Sequence, residues 1–329
     1  MADTDWGNQT SITKFILLGF GNLPQLQVLL FLLFLVIYIV TTAGNILVIA
    51  LVVADQHLHT PMYFFLGNLS CLETCYASTL LPRTLASLVT GDRTISVSGC
   101  VAQLDFFASL VAVECCLLSV MFYDRYLEIC KLLHYAALMN GRLRFWLAAG
   151  SWVSGFLEAQ PVSFIQTTLV FTSPFCGPNK IDHFFCDVVS VLRLVCADTS
   201  RNEMSNITVT VVFLTTLFML ILTSYAHIIT TVLRMSSPRS RHRAFSTCSS
   251  YLVMVTLFYG SGMVIYLHPK SSYMLENDKL LSLFYTVVTP MMNPNIYSLR
   301  NEEMKGAQRR RVAGKRLSPL QKGFCLRLT

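Results

Sequence analysis

Six ionisable side chains fall inside apolar stretches of this 329-residue chain, and they offer most of its chemistry. An ionised group at the middle of a membrane helix costs roughly 3 kcal/mol on insertion scales, so such residues usually serve proton transfer, cation binding or a switchable ion pair. Asp124 and Arg125 stand side by side at the end of one stretch, where the arginine could instead anchor the helix at an interface. The six residues are Glu73, Asp105, Glu114, Asp124, Arg125 and Glu158.

Catalysis and transport are the other activities that such residues could serve. A hydrolase inside a membrane needs a nucleophile and a base that face each other across helices. His227 and several serines are present, but no spacing links them into such a set. A proton-coupled transporter would show inverted repeats and broken helices, and related blocks do not recur between the two halves of the sequence. The sequence therefore favours neither an enzyme nor a transporter.

Hydrophobic residues make up 53% of the chain and charged residues 13%, which is typical of a membrane protein. A helix needs about 20 mostly apolar residues to cross a bilayer. The sequence predicts an all-α membrane protein with seven such spans, joined by short loops except for a long one between the fourth and fifth spans. The predicted spans are 26–53, 61–81, 100–127, 145–165, 207–233, 245–267 and 280–299.

The positions of Lys and Arg predict the orientation, because positively charged loops stay in the cytoplasm. With the amino terminus outside, all but eight of the 25 basic residues fall inside. Residues 1–25 then form an extracellular segment, 26–300 one seven-helix domain, and 301–329 a cytoplasmic tail whose basic charge fits anionic lipid better than nucleic acid. The first 25 residues lack a basic start and a cleavage site, so we expect no removable signal peptide. Asn8, in Asn-Gln-Thr, becomes an extracellular glycosylation site.

Four of the 11 cysteines fall on the predicted outer side, where disulfides form. They are Cys100 at the start of the third span and Cys176, Cys186 and Cys196 in the long loop. Four cysteines allow three pairings, which spacing does not separate, and zinc is disfavoured because His183 is the one nearby histidine. Cys325 in the tail stays open as a palmitoylation site. The cysteines within the spans are predicted to be small core residues, namely Cys71, Cys75, Cys115 and Cys116.

Several motifs sit at particular ends of the predicted spans. "LHTPMYFFL" opens the second span, "MFYDRYLEIC" closes the third, "SYAHII" closes the fifth, "FSTCSS" opens the sixth and "NPNIYSLRN" closes the seventh. Together they resemble the olfactory (odorant) receptors, a branch of the rhodopsin-like seven-helix G-protein-coupled receptors, with a leaning to the tetrapod-type class. The resemblance runs from about Phe15 to Lys305. It implies a rhodopsin-like bundle in the plasma membrane and the disulfides Cys100–Cys186 and Cys176–Cys196.

The resemblance also assigns a role to the pair at the end of the third span. Asp124 would hold Arg125 at rest, and activation would free the guanidinium to line a cytoplasmic cavity for a G protein. Tyr225 and Tyr297 would move towards it, which gives the bistable polar cluster that a two-state switch requires. The predicted switch comprises Asp124, Arg125, Tyr126, Tyr225, Asn293, Pro294 and Tyr297.

A polar pocket at mid-membrane is a further implication of the resemblance. Asn45, Glu73 and Glu114 occupy the corresponding positions. Two carboxylates in close proximity are not both ionised without a counter-ion. The pocket would therefore either share a sodium ion or hold a proton within a hydrogen-bonded network, and the sequence leaves both alternatives open.

The ligand site implied by the resemblance lies in the outer halves of the third, fifth and sixth spans. Phe107 stands where amine receptors carry an aspartate, so a simple amine is not favoured. A small, neutral, mostly hydrophobic molecule that meets Thr210 or Tyr266 through one polar group fits best. The implied lining residues are Phe107, Ala108, Val111, Ala112, Val209, Thr210, Phe213, Gly262, Met263 and Tyr266.

The chain departs from the family pattern close to the switch. Phe122 stands where the family usually has Ala, Leu127-Glu128 replaces Val-Ala, and Tyr251 replaces a histidine. Two prolines common between Cys130 and Leu138 are absent from the sequence. Glu128 lies three residues after Arg125 on the same helical face, so its charge could hold the arginine and lower coupling.

The resemblance implies an odorant receptor that activates an olfactory-type stimulatory Gα and raises cyclic AMP. Its expected partners are an odorant, that G protein, membrane lipid and a receptor-trafficking chaperone. No cofactor, no catalytic residue and no nucleic-acid partner is expected. A rhodopsin-like receptor for a ligand that is not an odorant is the nearest alternative, because the two would share the same pocket chemistry.

Overall fold

The computed structural model describes residues 13–20, 24–172, 179–187, 200–234 and 282–292 as continuous segments. Further described positions are 190, 191, 194, 241, 252, 255, 256, 259, 260, 279, 304, 306, 307, 309 and 310. The described part contains five long helices that match the first five predicted spans, and three short β-strands. Three described helices are long and apolar enough to cross a membrane, over Leu26–Ala54, Val97–Cys130 and Thr215–Leu233.

Helix α1 covers Pro24–Ala54 and is apolar on all sides. Phe34, Thr41, Asn45 and Val48 are buried, at the spacing of one helical face. The other face exposes a series of large aliphatic side chains that would be costly in water and are stable in lipid. That exposed series includes Val28, Leu29, Leu32, Leu33, Val36, Ile39 and Val40.

Helix α2 covers Pro61–Thr90, which is nine residues longer than the predicted span 61–81. Pro61 is the first residue of the helix, where the backbone N–H has no partner within the helix and its absence costs nothing. The helix continues through Pro82 to Thr90. Gly91 caps it, with φ 71° and its N–H donating to the Ser87 carbonyl. The apolar run therefore stops before the helix does.

Helix α3 covers Val97–Cys130 and is the most buried of the described helices, with the Ser96 hydroxyl accepting from the Gly99 N–H at its start. Helix α4 covers Gly141–Thr172 and approaches α3 closely at Gly155. A Cβ at Gly155 would lie 2.4 Å from Val113 Cγ2 and 2.6 Å from the Val113 nitrogen. Glycine thus allows the two backbones to pack against each other.

Helix α5 covers Ser200–Leu233 and packs Ile228 and Val232 against the end of α3. The predicted sixth and seventh spans are described in part. Tyr259 is buried and its hydroxyl donates to the Cys115 carbonyl of α3 over 3.4 Å. Residues 282–292 are helical, with a wider π turn at Phe284–Val288 just before Pro290. Such a turn accommodates a proline, which lacks an N–H and crowds the preceding turn.

A small sheet covers one end of the bundle, in the order β2-β1-β3. Strand β1 is Lys14–Leu17, β2 is Thr94–Ser96 and β3 is Lys180–Ile181. Strand β1 pairs antiparallel with β2 and parallel with β3. Phe15 and Leu17 are buried against Cys100, Ile181 and Cys186. The amino-terminal segment is therefore packed into the end of the bundle from residue 14 onwards.

The prediction for two of the cysteines is wrong. Cys71 and Cys75 are exposed on α2, whereas Cys115 is buried and Cys116 is partly buried, as expected. Lipid and protein interior are equally apolar, so residue type alone does not tell which side of a membrane helix faces the core. We refer below to the disulfide end, which carries the sheet, and to the switch end, which carries Asp124 and Arg125.

Candidate functional site

Asp124 is buried near the end of α3 and is held from outside that helix. After α3 the chain turns through Leu132–His134 into a short helix, Tyr135–Leu138. The Tyr135 hydroxyl donates to Asp124 Oδ1 over 2.9 Å. Burial, followed by the neighbouring Asp124 carboxylate, raises the pKa of Tyr135 above its ordinary value, so the tyrosine stays a donor. The loop after α3 is thus fastened to the predicted switch.

Arg125 is 9% exposed and its Nη1 donates to Glu128 Oε2. The two residues are three apart in α3, which places them on one face of the helix. The Glu128 side chain is 40% exposed, whereas that of Arg125 is 10% exposed. The contact expected from the sequence between these residues is present, and it joins a buried cation to a carboxylate at the surface.

Tyr126 and Tyr225, two further switch residues, belong to the seam between α3 and α5. Both pack against the cluster of Ile228 and Val232. The Tyr126 ring lies 5.7 Å from the ring of His227, centroid to centroid. The structure therefore brings Tyr225 of α5 to the same end as Asp124 and Arg125. Asn293, Pro294, Tyr297 and Tyr251 lie outside the described residues.

The three residues of the predicted polar pocket are all buried. Asn45 is 0%, Glu73 1% and Glu114 2% exposed. The Asn45 amide donates to the Thr41 carbonyl over 3.1 Å. Glu114 precedes Cys115, whose carbonyl accepts from Tyr259. Each of these three polar side chains is thus removed from both lipid and water.

The predicted ligand site is represented by one face of α3 near the disulfide end. Phe107 and Ala112 are buried, while Ala108 and Val111 are partly buried. The Phe107 ring lies 5.1 Å from Tyr76 of α2 and 5.1 Å from Phe185 of the long loop. The structure does not describe the other predicted lining residues, which are the side chains of Val209, Thr210 and Phe213 on α5 and the residues Gly262, Met263 and Tyr266.

The long loop forms an aromatic cover above Phe107. His183, Phe184 and Phe185 are all buried, and the His183 ring lies 4.7 Å from that of Phe184 and 4.5 Å from that of Phe185. Offset and edge-on ring pairs of this kind stabilise more than their buried area alone. We call these three residues the aromatic cover. Sequence reasoning missed it, although "HFF" stands directly before Cys186.

Four connections fasten the aromatic cover to the bundle. The disulfide Cys100–Cys186 joins the loop to α3, as the resemblance implied. The Cys186 N–H donates to Gln103 Oε1 over 3.0 Å. On the other side, Lys279 Nζ contacts Asp182 Oδ1 at 2.5 Å, and His183 Nε2 lies 3.2 Å from the Ser282 hydroxyl. Cys176, Cys196 and Asn8 lie outside the described residues.

Comparison with known proteins gives a consistent family assignment. The family profile described as "Olfactory receptor" matches residues 34–315. Human olfactory receptor 10A7 is 51% identical over 313 residues, which covers 95% of this chain and 98% of that receptor. Human olfactory receptor 10A4 is 50% identical over 93% of this chain and 96% of its own length. Human olfactory receptor 10A5 is 51% identical over 92% and 94%.

Proposed function

The chain belongs to the olfactory receptor family of seven-helix, rhodopsin-like G-protein-coupled receptors, and on this premise we propose how it binds an odorant and signals. Members of the family are multi-pass plasma-membrane receptors rather than enzymes. In our proposal a small, mostly hydrophobic volatile molecule binds in the half of the bundle near the disulfide end. The bound receptor activates an olfactory-type stimulatory Gα and raises cyclic AMP.

The observation that carries the ligand proposal is the position of Phe107. Its ring is buried between Tyr76 of α2 and Phe185 of the aromatic cover. Apolar walls with few polar groups suit a neutral hydrophobic ligand better than a charged one. The remaining expected lining residues are Ala108, Val111, Ala112, Val209, Thr210, Phe213, Gly262, Met263 and Tyr266.

The coupling proposal rests on two contacts at the switch end. Tyr135 fastens Asp124, and Glu128 fastens Arg125. Activation would release the Arg125 guanidinium towards a cytoplasmic cavity, with Tyr225, Asn293, Pro294 and Tyr297 supporting the open state. Because two polar arrangements of the same residues compete, a ligand that prefers one of them shifts the population. Asn45, Glu73 and Glu114 would form a polar pocket between the two ends, with or without sodium.

The disulfide supports the proposed orientation. Disulfides persist in oxidising compartments, so the end with Cys100–Cys186 would face outside. The amino terminus would then be extracellular with glycan at Asn8, and the basic tail would lie in the cytoplasm near anionic lipid. Treatment with a glycosidase should increase the gel mobility of the wild-type chain and leave Asn8→Gln unchanged. Equal mobility of both before treatment would contradict the orientation.

Cyclic AMP in living cells tests the function directly. Cells would co-express the chain, the olfactory-type stimulatory Gα and a receptor-trafficking chaperone, and be exposed to a broad panel of volatile compounds. We expect a ligand-dependent rise that disappears in Arg125→Ala. Lys131→Ala is the matched control, because Lys131 is an exposed cation at the end of the same helix. A rise of the same size in Arg125→Ala at equal surface expression would contradict the proposed switch.

A further inference from the structure

A wide groove lies between α2 and α3 at the disulfide end, separate from the proposed odorant site. Its volume is about 680 Å³. Thr79 and Arg83 of α2 form one wall and Gly99, Ala102 and Phe106 of α3 form the other. The segment after α2, which includes strand β2, closes the top with polar groups, namely Asp92, Thr94 and Ser96. The groove therefore carries polar groups at its top, and Ala102 and Phe106 give its α3 wall an apolar surface.

The groove spans the depth at which headgroups give way to hydrocarbon. The apolar run of α2 ends at Leu81, so Arg83 lies just beyond it, about 10 Å below the helix end at Thr90 at the usual rise per residue. Phe106 lies about 14 Å below the start of α3 at Val97 by the same measure. Its side chain is 57% exposed, so it faces lipid. A molecule in the groove would thus have a polar part near Arg83 and an apolar part along Phe106.

The polar part of the groove holds charges of both signs. Arg83 is partly buried and attracts the Asp92 carboxylate electrostatically. Asp92 Oδ1 accepts from the N–H and the hydroxyl of Thr94, over 2.9 Å and 2.8 Å. These bonds keep the pKa of Asp92 below its ordinary value, so it is an anion. Arginine binds phosphate through a planar pair of N–H donors, and the anion beside it favours a cationic group.

We propose that this groove binds one zwitterionic phospholipid from the leaflet at the disulfide end. The phosphate lies against Arg83, the quaternary ammonium group lies near Asp92, and an acyl chain runs along Phe106. The lipid would also lie close to the loop that carries the aromatic cover. Gln103 lines the groove, donates to the Thr79 carbonyl over 3.3 Å and accepts from the Cys186 N–H.

Photolabelling of the full-length chain in lipid nanodiscs tests the proposal. The probe is a phosphatidylcholine that carries a diazirine in its acyl chain, and labelled peptides are identified by mass spectrometry. We expect labelling of the α3 segment around Phe106 to fall about tenfold in Arg83→Gln, which is the effect of losing a charge-assisted hydrogen bond. Lys180→Gln is the matched control, because Lys180 is an exposed cation at the same end, and its labelling should equal that of the wild type.

Probes with other headgroups test the site in the wild-type chain, without relying on a variant. A diacylglycerol with the same labelled chain lacks the phosphate, and we expect it to label the Phe106 segment about tenfold less than phosphatidylcholine does. Labelling of equal strength by diacylglycerol, or in Arg83→Gln, would show a non-specific lipid layer and overturn the proposal. Stronger labelling by phosphatidylglycerol, which has no ammonium group, would overturn the role of Asp92.

Discussion

Replacing Glu128 by the alanine usual in this family should make the receptor easier to activate. Arg125 is nearly buried and donates to Glu128, one turn later on the same face of α3. In the proposed mechanism, Arg125 must leave its resting partners to line the cavity for the G protein. A carboxylate that holds it at rest therefore opposes activation, and its removal shifts the equilibrium towards the active state.

The size of the effect follows from the exposure of the pair. The Glu128 side chain is 40% exposed, so water screens the interaction. Ion pairs of this kind contribute about 0.5–1 kcal/mol. Such an energy corresponds to a factor of about 2–5 in the ratio of active to resting receptor. Basal cyclic AMP should rise, and the odorant concentration for half-maximal response should fall, by about that factor.

The assay compares cyclic AMP in cells with equal surface expression, measured by an antibody against an amino-terminal tag. Glu128→Gln is the informative second variant, because it keeps the size of the side chain and removes the charge. We expect it to behave as Glu128→Ala does. An unchanged response in Glu128→Ala would refute the reasoning. A wild-type response in Glu128→Gln with a raised one in Glu128→Ala would show that packing, rather than charge, restrains the switch.

Three further predictions concern the loop after α3, the contact between α3 and α4, and the tail. Tyr135→Phe removes the donor to buried Asp124, which should lower the free energy of unfolding by about 1–3 kcal/mol. The purified receptor should therefore melt several degrees lower, and an unchanged melting temperature would contradict this prediction. Gly155→Ala places a Cβ 2.4 Å from Val113 Cγ2 and should lower the free energy of unfolding by about 1–3 kcal/mol. Gly150→Ala is the control, because a Cβ there has nothing within 4 Å. Equal melting temperatures of the two variants would refute this prediction. The hydrogen bond from Arg310 holds the pKa of Asp55 at about 2, below the ordinary 3.8; because the folded pKa is lowered, this contact is complete above pH 3.8 and is lost as the pH falls towards 2. A spin label at Arg309→Cys should therefore become mobile in that range, and mobility that already rises near about pH 5 would contradict the assignment.

The sequence predicted the helices well where hydropathy alone determines them. The third span was expected at 100–127, and α3 covers Val97–Cys130. The error was larger for α2, because the apolar run stops at Leu81 while the helix continues through Pro82 to Thr90. A helix ends where its last carbonyls find a cap, and Gly91 provides the left-handed turn. The length of an apolar run follows the thickness of the bilayer core, whereas the capping residues determine where the helix ends.

The parts that sequence reasoning missed depend on contacts between distant residues. Strand β1 pairs with residues 94–96 and 180–181, and pairs this far apart leave no local pattern in so short a strand. The aromatic cover likewise depends on where the disulfide places the loop. Cys100–Cys186 followed from family resemblance and not from spacing, which allowed three pairings.

In the proposed mechanism, ligand recognition and coupling occupy opposite ends of α3. Phe107 and Arg125 are 18 residues apart on α3, about 27 Å at the usual rise per residue. Between them, α3 packs against α4 at Gly155 without room for a Cβ. In that mechanism, this tight packing would transmit a displacement of α3 from one end to the other, whereas loose contacts would absorb it. Glu128 would add its restraint in the last turn of α3, far beyond the reach of a ligand near Phe107. A substitution at Glu128 would therefore change the apparent odorant affinity through the equilibrium between resting and active receptor, and not through contact with the ligand.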